Sequence, residues 1–359
     1  MDARRFLASL SAALVVMAVC APALAQSAAP RRLSGDQKLQ LQALSELVDA
    51  VVAQKRSAPA DVALSWQSHA LKADKGLIYV PYTVGIDGKF TTLPVAMYVR
   101  VLRKDAQQGY YDASRASTMK TWLGIMSSPS QVDTKDIRSG NVAGTGPTVE
   151  DVTFFEPPKD GRLRRALWLP PGDYDVFVAM RERPSKGLPK MVVLKEPLTV
   201  PDLSKNFAIS SLILADNIEP ATRPLNDDQQ IAQPYTIGGV KITPAITTRF
   251  RSTSELQVVF FVYNPTPAAA NKPDIHVDYT FLLQAGDVER VFTTSPEQLF
   301  NAETLPPEFN LASGHQLMAG QSVSLETFPP GQYRLQVTVT DNVSHASTTG
   351  DLRFSVVGQ

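Results

Sequence analysis

The sequence predicts an all-β chain of two tandem immunoglobulin-like β-sandwich domains preceded by a short N-terminal helix. Three observations carry this expectation. Beyond Val62, apolar residues recur at period two in short runs rich in β-branched and aromatic side chains, the pattern of half-buried strands. One motif occurs twice, as Leu169-Pro170-Pro171-Gly172-Asp173-Tyr174 and as Phe328-Pro329-Pro330-Gly331-Gln332-Tyr333. The chain of 359 residues is also longer than one hydrophobic core ordinarily organises.

The repeated motif fixes the architecture. Its two glycines stand 159 positions apart (331 − 172), and each copy leads into an alternating run, DVFVAM or RLQVTVT. Pro170-Pro171 and Pro329-Pro330 stop one strand, and Gly172 and Gly331 make the turn. Tyr174 and Tyr333 open the next strand, ring inward, with a hydroxyl available to tie the loop. This is close to the tyrosine corner of immunoglobulin-type sandwiches. The chain therefore reads as two copies of one sandwich type, 60–204 and 205–359, joined near Pro201-Asp202. The motif specifies a fold and carries no chemistry.

The N-terminus reads as a signal peptide, residues 1–25. Arg4 and Arg5 form a basic start, Phe6 to Cys20 an apolar stretch, and Ala23-Leu24-Ala25 a small-residue cleavage site before Gln26. The apolar stretch is short for a membrane anchor. A lipoprotein reading would use Cys20, but Val19 before it is a poor fit. The expected location is exported, periplasmic or extracellular. Cys20 is the single cysteine, so the chain after Gln26 has no disulfide, thiol nucleophile or thiolate metal ligand. No later stretch is long and apolar enough to cross a bilayer.

Residues 26–33 read as a flexible leader and 34–57 as a helix. Ser34 stands three residues before Gln37, the spacing of a capping box. Leu41, Leu44, Val48, Val51 and Val52 then form one apolar stripe, for which packing on the first sandwich is favoured over a partner contact. Strands of the first sandwich are expected near Leu77–Val80, Leu93–Leu102, Val152–Phe155, Leu163–Leu169, Tyr174–Met180 and Met191–Leu194. Asp87-Gly88 suggests a tight hairpin. A long insertion, 106–146, interrupts them. In the second sandwich, strands are expected at Phe207–Leu214, Ile242–Phe250, Leu256–Tyr263, Ile275–Leu283, Arg290–Phe292, Val323–Phe328, Tyr333–Val339 and Leu352–Val357. Pro220 to Pro234 reads as a loop inside that domain.

The search for chemistry yields little. Lys+Arg and Asp+Glu both number 35, which gives no electrostatic drive towards nucleic acid or anionic lipid. His69, His276, His315 and His345 share no metal-ligand spacing. No nucleophile elbow, phosphate loop, zincin motif or EF-hand occurs. Asp216-Asn217 and Asp341-Asn342 could offer oxygens to calcium, though turn residues are the better account. Tyr110, Tyr111 and Trp122, in the 106–146 insertion, leave two readings open: a cover for a core, or a stacking platform for a sugar or peptide. No cofactor and no catalytic or metal residue is expected.

Ser210 to Asp216 (SSLILAD) and Leu256 to Pro265 (LQVVFFVYNP) resemble the C-terminal sandwich of exported acidobacterial proteins, including GWxTD-type and von Willebrand A-related ones. The resemblance covers mainly 205–359. The chain has no GWxTD motif, since Thr121-Trp122-Leu123-Gly124 departs from it, and no D-x-S-x-S metal site. The resemblance implies an envelope protein and transfers no functional residue. The expectation is thus a non-enzymatic exported interaction or scaffold protein of the cell envelope, with a protein or envelope component as partner. The alternatives are a carbohydrate- or peptide-binding module using the 106–146 loop, and a hydrolase without a recognisable motif.

Overall fold

The computed structural model describes residues 33–106, 148–221, 225, 229–230, 233–237 and 239–358. The expected signal peptide and Tyr110, Tyr111 and Trp122 lie outside these residues. The chain forms all-β sandwiches with one α-helix among the described residues. It divides into two compact units. One runs to Asp202 and takes in Asp227–Pro234; the other comprises Leu203–Asn226 and Tyr235–Gln359.

In the first unit the helix α1 spans Gly35–Val52 and stops short of the expected residue 57. The capping box forms: Gln37 N donates to Ser34 Oγ (3.2 Å) and Ser34 N to Gln37 Oε1 (2.9 Å). At the other end Gln54 takes a positive φ of 54°, which helix cannot continue through.

Eight strands follow: β1 (Ala63–Ser68), β2 (Leu71–Lys72), β3 (Ile78–Asp87), β4 (Val95–Arg103), β5 (Thr148–Phe155), β6 (Arg162–Leu169), β7 (Gly172–Arg181) and β8 (Met191–Val200). One sheet places β1 and β2 in turn along one edge of β3, with β6 on its other edge. The other sheet has the order β5-β4-β7-β8, antiparallel throughout. Asp87-Gly88 is therefore not a hairpin. β3 is already paired on both edges, so the chain crosses after it to the other sheet.

Among the described residues, twelve strands build the second unit. They are β9 (Ala208–Ile209), β10 (Ile213–Pro220), β11 (Thr236–Ile237), β12 (Val240–Pro244), β13 (Arg249–Arg251), β14 (Glu255–Tyr263), β15 (Ile275–Ala285), β16 (Val288–Thr294), β17 (Gln298–Phe300), β18 (Leu317–Ser324), β19 (Gly331–Asp341) and β20 (Ser347–Val357). The run Ile242–Phe250, expected as one strand, is two strands in different sheets. β12 pairs with β10, and β13 runs parallel to β20. Pro244 lacks the N–H that a continuing ladder would need.

The topology repeats. β9 and β10 line one edge of β14 and β18 the other, as β1, β2 and β6 do for β3. The order β16-β15-β19-β20 matches β5-β4-β7-β8. The second core joins Leu256, Val258 and Phe260 of β14 to Val277, Tyr279 and Phe281 of β15 and Leu335, Val337 and Val339 of β19.

Register makes the comparison residue by residue. Arg103 lies opposite Tyr174 and Leu283 opposite Tyr333, so Ala96, Tyr98, Arg100 and Leu102 correspond to His276, Asp278, Thr280 and Leu282. Phe177 and Ala179 correspond likewise to Gln336 and Thr338. In the first sandwich this outer face is largely apolar, and Leu41, Leu44, Leu47 and Val48 of α1 pack on it. Each such buried Leu or Val contributes about 1.5–3 kcal/mol. In the second sandwich the same face is polar, and among the described residues no α-helix packs on it. The composition of one sheet face thus decides where the helix lies.

The segment Asp227–Pro234, expected within the second domain, belongs to the first unit. Tyr79 of β3 holds it there: its hydroxyl donates to Pro234 O (2.7 Å) and accepts from Gln230 Nε2 (3.3 Å).

Candidate functional site: the carboxylate-clamped loop ends

The residues singled out in the repeat lie where strands β7 and β19 begin. The Tyr174 hydroxyl donates to Pro170 O at 2.7 Å, and the Tyr333 hydroxyl donates to Pro329 O at 2.7 Å. Each phenol ties the turn to the residue four positions upstream, while Pro171, Gly172, Pro330 and Gly331 form the corner. Gly172 has φ 151°, a conformation open to glycine, and packs on the Arg103 guanidinium. These residues hold architecture at one end of each sandwich.

The opposite end carries a second repeated device outside the PPGxY motif. Glu182 follows β7, and Asp341 closes β19. They are 159 positions apart (341 − 182), the offset of the tyrosines, and both are buried. Glu182 Oε2 accepts from Thr91 N (2.7 Å), Thr91 Oγ1 (3.0 Å) and Thr92 N (3.4 Å), and Oε1 accepts from Lys190 N (2.9 Å). Asp341 Oδ2 accepts from Thr266 N (2.8 Å), and Oδ1 from Val343 N (2.9 Å) and Ser344 N (3.3 Å). Each carboxylate thus ties the β3–β4 or β14–β15 crossing loop to the hairpin after β7 or β19. The signal was present in the sequence: carrying the repeat eight residues past Tyr174 aligns Glu182 with Asp341.

Burial by itself would raise both carboxyl pKa values. At Glu182 the N–H groups of Lys190, Thr91 and Thr92 outweigh it and hold the group below its ordinary value. At Asp341 the bonds from Thr266 and Ser344 do the same. Asp341 is therefore occupied by backbone donors rather than poised for calcium.

The second sandwich adds two further ties at this end. The Lys272 ammonium, buried, donates to Leu305 O (2.9 Å) and Ala302 O (3.3 Å). Asn342 N donates to Asp274 O (2.9 Å) and its Nδ2 to Asp274 Oδ1 (3.0 Å). Three loops are joined, and His345 is held at φ 59° on the exposed hairpin.

Other polar clusters are internal. Arg165 of β6 makes a two-pronged pair with Asp151 of β5 (2.8 and 3.0 Å), and the Tyr82 hydroxyl donates to Asp151 at 3.2 Å. Burial first, then the Asp151 charge, drives the Tyr82 pKa well up. Arg100, only 3 % exposed, lies beneath α1. It donates to the Tyr98 hydroxyl (2.8 Å), Glu150 (3.2 Å), Ser45 Oγ (3.1 Å) and Asp49. Both clusters join layers of one sandwich.

The histidines do not converge. His69 is buried, which lowers its pKa to about 4. His276 sits on the outer face of β15 near Asp278 (3.1 Å) and Glu297 (3.2 Å), and His315 Nδ1 accepts from Asn310 N (2.9 Å). Among the described residues no group of His, Cys, Asp and Glu could hold a metal ion. No helix among them is long and apolar enough to cross a membrane.

No protein-family model and no curated protein matches the chain. Among solved structures it is similar to Salmonella alpha-2-macroglobulin reacted with methylamine, at 14 % identity and TM-score 0.21. It is also similar to the Y1175G mutant of that protein, at 12 % identity and TM-score 0.20. Each likeness covers 84 % of this chain but only 17 % of the macroglobulin.

Proposed function

We propose that the protein is a non-enzymatic, exported interaction module of the cell envelope, making its contacts through the clamped loop ends of its two sandwiches. The observation that carries this reading is the pair Glu182 and Asp341. Each spends a buried carboxylate on fixing two loops at the same end of a repeated fold. Loops fixed in advance lose less conformational entropy when a partner binds. Binding residues are also disproportionately carried by loops on rigid scaffolds. The basic start, apolar stretch and Ala23-Leu24-Ala25 of the N-terminus support export.

Site-specific photocrosslinking in the native envelope tests the reading. Crosslinkers at Leu188 and Val343, on the two clamped ends, should capture discrete partners. Crosslinkers at Asp173 and Gln332, at the tyrosine-corner ends, should not. Equal capture from both ends, or none from either, would overturn it.

A further inference from the structure

The loop between β7 and β8 has an unusual tip. Leu188 is 97 % exposed, the most exposed large apolar side chain among the described residues. It stands between Gly187 and Pro189 in the sequence RPSKGLPK, Arg183 to Lys190. Leu93, 42 % exposed, lies on the adjoining loop after β3.

The base of this tip is clamped. Glu182 clamps Lys190, Thr91 and Thr92 at its base, and Thr92 Oγ1 donates to Arg183 O. Lys190 Nζ donates to Lys89 O at 2.7 Å, joining the two loops again. Pro184 and Pro189 restrict the hairpin further.

Cations surround it. Lys89, Arg183 and Lys186 are exposed, and Lys190 is partly so. The acids at the two loops are Asp87, exposed, and Glu182, buried in the clamp, and exposed Asp61 accepts from Met191 N (2.9 Å) at the base of the hairpin. Arg183 also approaches Asp36 of α1 at 3.4 Å. The positive charge left near the protruding apolar residue is that of Lys89 and Lys186, both exposed and in none of the ion pairs of the described residues.

We propose that this tip docks on an anionic lipid surface. Leu188 enters the boundary between headgroups and acyl chains. Lys89, Lys186 and Arg183 lie at headgroup level. A convex tip with one projecting Leu needs a soft partner, and the surrounding cations select a negative one. The inference rests on the reading of the clamped ends as contact points and names the partner of one of them.

Vesicle flotation with the chain from Gln26 onward tests it. The protein should float with vesicles containing phosphatidylglycerol, should not float with phosphatidylcholine alone, and should be released by salt. Leu188→Glu should weaken binding about tenfold or more, and Lys89→Glu/Lys186→Glu should weaken it several-fold. Both variants should melt like the parent, because Leu188, Lys89 and Lys186 are exposed. Failure to bind anionic vesicles, or equal binding by parent and Leu188→Glu, overturns the proposal. If the Leu188 crosslinker then captures a protein while vesicles are not bound, the interaction reading stands and the lipid partner falls.

Discussion

Glu182 and Asp341 are the same residue position in two copies of one fold, and each carboxylate collects backbone N–H groups from two loops. Replacing Glu182 with Ala leaves the donors of Thr91, Thr92 and Lys190 without their acceptor in a partly buried place. The expected loss is about 2–4 kcal/mol, since hydrogen bonds to charged groups contribute ~1.5–3 kcal/mol each and an orphaned donor costs more. Asp341→Ala should cost a similar amount. Urea titration of each variant checks this; a midpoint within error of the parent's would show that the clamps do not stabilise the sandwiches.

Acid should unfold the protein in two stages. The His69 pKa is lowered from 6.5 to about 4, so the folded state keeps it neutral while the unfolded chain takes up a proton. Its contribution is intact above pH 6.5 and disappears as the pH falls towards 4, a total of about 3 kcal/mol. The Glu182 and Asp341 pKa values are lowered from 4.5 and 3.8. Their contribution is present above those ordinary values and is lost as pH falls through the folded ones. The stability-versus-pH curve should therefore decline below pH 6.5 and steepen below about 4.5. His69→Gln should flatten the upper stage and leave the lower one. A parent curve flat between pH 6.5 and 4.5 would rule out a neutral, buried His69.

The tyrosine corners make a matched pair of tests. Tyr174→Phe and Tyr333→Phe each remove a single 2.7 Å bond to a carbonyl four residues upstream and leave the ring in place. Each should cost about 1–1.5 kcal/mol, the net value of one such bond. Thermal melts should show two similar shifts, and a neutral result at either position would mean that its corner is held by packing alone.

Much of this fold was readable because the PPGxY motif occurs twice and period-two runs follow it. The number and type of sandwiches came from those signals. Strand boundaries came less well. Ile242–Phe250 looked like one strand, and only the pairing of its halves with different sheets separates them. Asp87-Gly88 has the composition of a hairpin turn, yet β3 was saturated by β1, β2 and β6, a long-range fact that local sequence does not carry. The clamps were hidden for another reason. A Glu and an Asp at matching offsets look like ordinary surface acids until burial is known.

The helix face provides the last test. Arg100 is buried between β4 and α1, with Glu150 on the sheet side and Asp49 and Ser45 on the helix side. The corresponding position in the second sandwich is Thr280, on a face that no helix among the described residues covers. Removing one partner of a buried ion pair strands the other, at about 3–5 kcal/mol. Arg100→Met should therefore be severely destabilising, because Glu150 and the Tyr98 hydroxyl keep their burial and lose their cation. Arg100→Met/Glu150→Gln should recover much of the loss, with a coupling of about 1–3 kcal/mol in a double-mutant cycle. Chemical denaturation of the four proteins measures that coupling. Strict additivity would mean that Glu150 is already compensated elsewhere, and the helix would then be held by its Leu41, Leu44, Leu47 and Val48 stripe.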